Sequence, residues 1–214
     1  MTLHALTSPA GIPGDAPAVA LFLHGYGSNE QDLTALAPVL PPGIPWASLR
    51  APGTLNAGQH AWFDIVRPGD PDPAPLAAAT DAVWAWVDAT VPATTRVVPL
   101  GFSQGGLMAS QLLRTRPERV LAPAILGGFV QAAAQPGDAL LADARPALFW
   151  GRGADDGVIT SAAIARTRTW VDAHTTVTDP VYPGLGHGVD GRELCDLTAF
   201  LAAELSTALA PVAR

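Results

Sequence analysis

"VVPLGFSQGGLMAS", residues 97–110, places Ser103 among three glycines, between an apolar run and a segment with helical character. Gly101-Phe102-Ser103-Gln104-Gly105 satisfies the pattern G-x-S-x-G, which is typical of a nucleophilic serine on a sharp strand-to-helix turn. Such a turn strains the serine backbone and exposes its hydroxyl. Side chains two residues before and after the serine would collide across the turn, so glycine is expected at both positions. A purely structural glycine turn is the alternative, but the flanking strand and helix favour the nucleophile.

A serine hydroxyl needs a base to remove its proton, and five histidines are available. His187 lies in "YPGLGHGVD", a glycine-rich loop between the last expected strand and the last expected helix, where its ring can reach over the sheet. His24 is the competitor, since it ends an apolar strand, but a histidine at that position is more typical of a hydrogen-bonded structural group. We therefore predict that His187 is the base.

The imidazole needs a carboxylate that holds its tautomer and stabilises its cation. The segment "FWGRGADDGVIT" follows another expected strand and contains the adjacent carboxylates Asp155 and Asp156. The residues alone leave both open, and either could instead cap the following helix. The chain order serine, aspartate, histidine is that of one serine-hydrolase fold, and differs from the orders found in chymotrypsin and subtilisin.

The negative charge that develops on a substrate carbonyl needs backbone donors. The segment "FLHGYGSNEQDL" follows the first expected strand, and its glycines allow the backbone to approach a ligand closely. The N–H groups of Tyr26 and Gln104 are therefore the expected oxyanion donors. A glycine-rich turn that merely enters a helix is the alternative for the first of these.

Apolar strand-like runs alternate with helix-like segments along the whole chain. The expected strands are AVALFLHG (18–25), IPWASLRAP (44–52), RVVPLGF (96–102), VLAPAILGG (120–128), PALFWG (146–151) and VTDPVYPG (177–184). The expected helices are NEQDLTALAPVL (29–40, capped by Asn29), LAAATDAVWAWVDAT (76–90), SQGGLMASQLLRTRP (103–117), TSAAIARTRTWVDAH (160–174) and GRELCDLTAFLAAELSTALA (191–210). This alternation predicts one α/β domain over residues 1–214, with a mostly parallel sheet, helices on both faces and no cap domain. "RPGDPDPAP" (67–75) is expected to be a surface loop.

Composition narrows the possible partners. The formal net charge is −7 with no block rich in lysine or arginine, so we expect neither a nucleic-acid partner nor insertion into a membrane. Cys195, the only cysteine, excludes an intrachain disulfide and is expected to lie in the core. The first residues contain no basic region followed by an apolar one, which favours a cytoplasmic location.

The segments "LFLHGYGSNEQDL", "AWFDI", "GFSQGG", "GRGADDGVI" and "GLGHG" resemble, in order and approximate spacing, the α/β-hydrolase carboxylesterase/phospholipase family, which includes enzymes similar to acyl-protein thioesterases. The resemblance implies a capless α/β-hydrolase with the catalytic residues Ser103, Asp156 and His187, because "DGVI" aligns Asp156 with the family's acid. It also implies oxyanion donors at Tyr26 and Gln104. Trp62 and Phe63 would lie near the substrate, although a buried structural role is an equal alternative for either.

The expected function is hydrolysis of small carboxylic esters with short to medium acyl chains through an acyl-enzyme, with no metal and no organic cofactor. A thioesterase or lysophospholipase using the same site is the alternative within the fold, as is an amidase. A non-catalytic binding module is the alternative from another class, and it predicts an incomplete set of catalytic residues. Relatives often pair, so a homodimer is possible in this reading.

Overall fold

An eight-stranded sheet runs through the part of the chain that the computed structural model describes, residues 3–208. Its strands are β1 (Ala5–Thr7), β2 (Ala18–Leu23), β3 (Trp46–Leu49), β6 (Arg96–Phe102), β7 (Ala124–Leu126), β8 (Ala147–Gly153), β9 (Thr176–Thr178) and β10 (Val181–Tyr182). A separate two-stranded hairpin is formed by β4 (Gly53–Asn56) and β5 (Gln59–Ala61). The helices are α1 (Pro73–Thr90), α2 (Gln104–Thr115), α3 (Asp138–Ala144), α4 (Ser161–His174) and α5 (Gly191–Ala208). The last two residues of the expected C-terminal helix, 209 and 210, lie outside the described residues.

The strand order is β1-β3-β2-β6-β7-β8-β10, and β9 pairs with β8 beside this path. Every strand pair in this sheet is parallel except β1 with β3. The mostly parallel sheet predicted from the alternating pattern is therefore confirmed. Because the strands point the same way, the loops after β2, β6, β8 and β10 meet at one edge of the sheet, where open α/β sheets bind ligands.

Both faces of the sheet are covered, and β2 shows how. All six of its residues are fully buried. Val19, Leu21 and Leu23 point into a core shared with α1, α2 and α4, while alternate residues such as Phe22 point into a second core shared with α5. A strand buried on both faces reads as a continuous apolar run, which is why "AVALFL" shows no polar alternation. No inserted cap domain interrupts the sheet within residues 3–208.

Two local predictions are wrong at the level of the backbone. Residues 32–39 form a 3₁₀ helix rather than an α-helix. Pro38 lies inside it, and in an α-helix its ring would clash with the carbonyl of Thr34, four residues earlier. Asn29 does not cap it; its side chain accepts from the N–H of Gln31 in the preceding turn, at 2.9 Å. The stretch 67–75 is only partly a loop, because Pro73 begins α1 and the Asp72 side chain accepts from the N–H of Ala74.

The expected burial of Cys195 is also wrong, since its side chain is exposed. Helix α5 buries Leu197, Leu201 and Leu205, which recur every four residues along one face. Cys195 precedes Leu197 by two positions and therefore lies on a different face.

No helix within residues 3–208 is both long enough and apolar enough to cross a bilayer.

Glu193 is the exception on the buried face of α5. It is fully buried, and neither carboxyl oxygen has a hydrogen-bond partner among the described residues. Its carboxyl lies against β8: a Cβ atom added at Gly151 would lie 2.2 Å from Oε1. Burial, with a smaller contribution from the charges of Asp190 and Asp196, raises the pKa of Glu193 to about 8. The folded protein therefore holds this proton at neutral pH.

Retention of this proton makes stability depend on pH. Between the ordinary pKa of 4.5 and the folded value of about 8, the folded state holds a proton that the unfolded state has released, so stability falls as pH rises. Glu193→Gln has no proton to lose and should escape this fall. Between pH 4.5 and 8, the free energy of unfolding of the wild type should therefore fall by on the order of 5 kcal/mol relative to that of the variant.

Urea unfolding at pH 5, 6.5 and 8 measures this difference, with Glu204→Gln on the same helix as the charge-matched control. A constant difference between wild type and Glu193→Gln across the three pH values would contradict the assignment of a buried, protonated carboxyl.

Candidate active site

The turn after β6 holds Ser103 in a backbone conformation that non-glycine residues rarely adopt, with φ 55° and ψ −114°. Helix α2 begins at the next residue, so the serine is placed directly between strand and helix. Its own N–H donates to the carbonyl oxygen of Leu126 at the end of β7, at 2.8 Å. Its carbonyl accepts from the N–H groups of Gly106 and Leu107 in the first turn of α2. The strain is therefore held by hydrogen bonds on both sides of the serine.

The two glycines of the pattern are required by space. A Cβ atom at Gly101 would lie 1.9 Å from the carbonyl oxygen of Gly105, and one at Gly105 would lie 1.7 Å from that of Leu23. These are backbone atoms of adjoining segments and cannot rotate away. The predicted collision across the turn is thus confirmed, and it extends to the neighbouring strand β2.

Three side chains from distant loops form one hydrogen-bonded chain above this edge of the sheet. Nδ1 of His187 lies 2.8 Å from Oδ2 of Asp156, and its Nε2 lies 2.9 Å from Oγ of Ser103. An ionised carboxylate can only accept, so Nδ1 carries the proton and Nε2 accepts from the serine hydroxyl. This is the arrangement in which an imidazole can remove a proton from a serine.

Asp156 is distinguished from Asp155 by its surroundings. The Asp156 carboxylate is 3% exposed and also accepts from the N–H groups of Val158, at 2.8 Å, and Ile159, at 3.1 Å. Burial opposes its ionisation, but the hydrogen bonds from His187 and these two amides outweigh it and lower the pKa of Asp156. Asp155 is exposed, and its N–H donates to the carbonyl oxygen of Leu185 in the loop that carries His187. Asp156 is therefore the carboxylate that contacts the imidazole, while the backbone of Asp155 joins the two loops.

Phe102 contacts His187, and the sequence does not predict this contact. Its ring lies 5.0 Å from the His187 ring, centroid to centroid, at an interplanar angle of 39°. A side chain at the second position of G-x-S-x-G is variable in the pattern, so nothing in the sequence marks it. The aromatic contact limits how far the imidazole can swing away from the serine.

His24 is a hydrogen-bonded structural group, as its position at the end of a strand predicts. Its Nδ1–H donates to the carbonyl oxygen of Gly25, and its Nε2 accepts from the N–H of Ala51 at 3.1 Å. Both ring nitrogens are thus occupied by backbone groups. Burial lowers the pKa of His24, which favours the neutral ring. His24 fixes the loop after β2 rather than joining the hydrogen-bonded chain.

One expected oxyanion donor, Tyr26, lies in the loop after β2, where Gly25 adjoins Ser103. The other, Gln104, is the first residue of α2. Among the described residues, the N–H groups of Tyr26 and Gln104 donate to no partner. The Tyr26 loop is held at the following residue, since the N–H of Gly27 donates to the carbonyl oxygen of His60 at 2.9 Å. Gln104 N–H belongs to the first turn of α2, where amide groups lack partners within the helix. Both amides are therefore available to a ligand.

The two aromatic residues expected near the substrate take different positions. Trp62 is 3% exposed, and its indole N–H donates to the carbonyl oxygen of His24 at 2.9 Å, so it braces the scaffold and does not line the cavity. Phe63 does line the cavity beside Ser103. The side-chain amide of Gln104 holds both backbones: its Oε1 accepts from the N–H of Trp62 and its Nε2 donates to the carbonyl of Phe63.

A cavity of about 80 Å³ opens beside Ser103. Its lining is mostly apolar and comes from the segment 63–71, the start of α2, Phe129, and residues 158–159. No group of three or more His, Cys, Asp or Glu side chains arranged as metal ligands occurs among residues 3–208.

The chain is similar to several known proteins. The carboxylesterase SOBER1 of Arabidopsis thaliana is 28% identical over 193 residues, which cover 81% of this chain and 85% of that protein. The pimeloyl-[acyl-carrier protein] methyl ester esterase of Neisseria meningitidis is 32% identical over 117 residues. That match covers 55% of this chain, which thus spans only 39% of the esterase. The crystal structure of the Bacillus cereus carboxylesterase superposes with a TM-score of 0.80 over 94% of both chains at 21% identity.

A family model described as phospholipase/carboxylesterase matches residues 13–205, nearly the whole described region. This match includes β2, the Ser103 turn, and the loops that carry Asp156 and His187. The chain therefore belongs to the phospholipase/carboxylesterase family of α/β-hydrolases.

Proposed function

We propose that this protein hydrolyses carboxylic esters with short to medium acyl chains, using Ser103 as nucleophile, His187 as base and Asp156 as the orienting carboxylate. The observation that carries the proposal is the hydrogen-bonded chain from Ser103 through His187 to Asp156 beside an apolar cavity. Its support includes the family match and the relatives named as esterases and carboxylesterases.

In the first step, Oγ of Ser103 attacks the carbonyl carbon of the ester while Nε2 of His187 takes the hydroxyl proton. Asp156, kept ionised by its hydrogen bonds, stabilises the imidazolium that results. Collapse of the tetrahedral intermediate breaks the bond to the alcohol oxygen, which leaves with the proton from Nε2. Ser103 then carries the acyl group as an ester.

In the second step, water attacks the acyl carbon and gives its proton to Nε2 of His187. Collapse of this intermediate breaks the bond to Oγ, which recovers the proton from Nε2, and the carboxylic acid leaves. Throughout, the N–H groups of Tyr26 and Gln104 would donate to the carbonyl oxygen as it becomes negative, each lowering the barrier by about 3 kcal/mol. The dipole of α2, whose N-terminus follows Ser103, favours the same charge.

The cavity favours esters of short acyl chains over the long-chain alternative among the chemistries open to this site. Its small volume suits a short acyl group and would exclude most of a long lipid chain, which disfavours a lysophospholipase. A binding module without activity would have no use for a strained serine hydrogen-bonded to an imidazole. Homodimer formation and a cytoplasmic location stay predictions from the sequence.

Ser103→Ala removes the nucleophile. Because the three residues act as a unit, kcat for p-nitrophenyl butyrate should fall by a factor on the order of 10⁴ to 10⁶. Ser110→Ala in α2 is the matched control: its hydroxyl donates to the carbonyl of Leu107 within the helix, and its loss should leave kcat within about twofold. Near wild-type turnover by Ser103→Ala would refute the mechanism.

Asp156→Asn should leave the shape of the loop intact but remove the charge that fixes Nδ1–H of His187. By analogy with other serine hydrolases, kcat should fall by about 10⁴-fold. Asp155→Asn makes the same chemical change on an exposed neighbour and should change kcat by less than about twofold. Steady-state kinetics of the two variants decide the assignment, and equal losses in both would contradict it.

Acyl-chain length tests the substrate class. For p-nitrophenyl esters, kcat/KM should rise by about fourfold for each methylene that enters the cavity. The rise should stop at butyrate or hexanoate, where the cavity is full. A rise that continues to dodecanoate, or faster turnover of an acyl-CoA thioester than of the matching ester, would favour the long-chain or thioesterase alternative instead.

A further inference from the structure

One wall of the cavity beside Ser103 is a segment with few attachments. Five of the lining residues, from Phe63 to Pro68, precede Gly69 and Pro71 in the same stretch of chain. Within residues 3–208, two hydrogen bonds join the segment 63–71 to the rest of the protein. One is from the Gln104 side chain to the carbonyl of Phe63, at 2.8 Å. The other is from Nη2 of Arg166 to the carbonyl of Gly69, at 2.5 Å.

The far attachment point is built into a turn. The N–H of Asp70 donates to the carbonyl of Arg67 at 3.2 Å, and Gly69 within this turn has φ +74°. Proline followed by glycine at a positive φ is typical of a type II turn. The turn rests on the start of α4, since a Cβ atom at Gly69 would lie 2.5 Å from Oγ1 of Thr160.

Arg166 joins this turn to a second wall of the cavity. Its Nε donates to the carbonyl of Val130 at 2.9 Å, and its guanidinium carbon lies 5.9 Å from the ring centroid of Phe129, which lines the cavity. Arg166 itself is not among the lining residues. A planar guanidinium can hold two carbonyl groups in a fixed relative position, which a single-point donor cannot do.

We propose that Arg166 is a positioning residue that sets the width of the acyl cavity by tying the carbonyl of Gly69 to that of Val130. This inference rests on the proposed function for its kinetic test. Without the guanidinium, Phe63 keeps the one remaining hydrogen bond from the segment 63–71 to the rest of the described protein, and the wall between Phe63 and the Gly69 turn can move away from Phe129. The cost then falls on substrates whose acyl chain fills the cavity, and an acetyl group is spared.

The test compares Arg166→Ala and Arg166→Lys with Arg168→Ala. Arg168 is two residues along α4, is also partly buried, and binds Asp179 and the face of Trp150 away from the cavity. In Arg166→Ala, KM for p-nitrophenyl butyrate should rise about tenfold with kcat within about twofold, while p-nitrophenyl acetate changes by less than about twofold. The quantity compared is the ratio of kcat/KM for butyrate to kcat/KM for acetate. Arg166→Lys, which can hold one carbonyl, should give a ratio between those of Arg166→Ala and the wild type. Arg168→Ala should give the wild-type ratio.

Gly69→Ala displaces the same segment without changing Arg166. It therefore tests the inference even if Arg166→Ala fails to fold. Its Cβ would push the turn off Thr160, so the butyrate-to-acetate ratio should fall in the same direction. A wild-type ratio in the folded variants at both positions would overturn the inference, whatever the absolute rates.

A second readout separates this inference from the proposed function. Elastase cleavage within 65–67, mapped by mass, should be about tenfold faster in Arg166→Ala than in wild type, because the charged hydrogen bond that restrains the segment is lost. If the wild type hydrolyses no ester, the proposed function fails. Equal cleavage of wild type and Arg166→Ala would then overturn the role of Arg166.

Discussion

The interlocking of Gly105 with the backbone of β2 is the constraint on which the rest of the site depends. The carbonyl of Leu23 occupies the space of the missing side chain, so α2 starts closer to the sheet than a residue with a Cβ atom would allow. That closeness forces Ser103 into its positive φ, presents its hydroxyl above the strand ends and leaves the first amides of α2 beside it. A side chain at Gly105 would push α2 away from β2 and would therefore displace both the Ser103 hydroxyl and these amides.

The parallel sheet turns this local strain into a site. Ser103, Asp156 and His187 are far apart in the chain, but each follows a strand whose carboxyl end lies at the same edge. Hydrogen bonds also connect the loops. The N–H of Ser103 donates to the carbonyl of Leu126 at the end of β7, and the N–H of Asp155 donates to the carbonyl of Leu185 in the loop that carries His187. The geometry of the hydrogen-bonded chain is thus set by backbone contacts, and the three side chains need little freedom of their own.

Much of this could be read from the sequence, because the relevant constraints are local. Gly101 and Gly105 flank the serine at the spacing that the turn requires, and apolar runs without alternation mark strands buried on both faces. Asp156 could not be separated from Asp155 by spacing alone. Their difference comes from which carboxylate meets the amides of Val158 and Ile159. Cys195 was misplaced because the buried face of α5 is chosen by packing against the sheet, and the buried Glu193 lies on that face. Phe102 and Arg166 act through contacts between distant segments, for which a single sequence carries no signal.

In the proposed mechanism, an imidazole activates one serine out of the many in the chain. Reaction with a fluorophosphonate, followed by intact-mass measurement and peptide mapping, identifies the activated residue. We expect one adduct per chain, on Ser103, which His187→Ala abolishes while the variant keeps its fold. An unmodified wild-type protein, or an adduct on another residue, would contradict the mechanism.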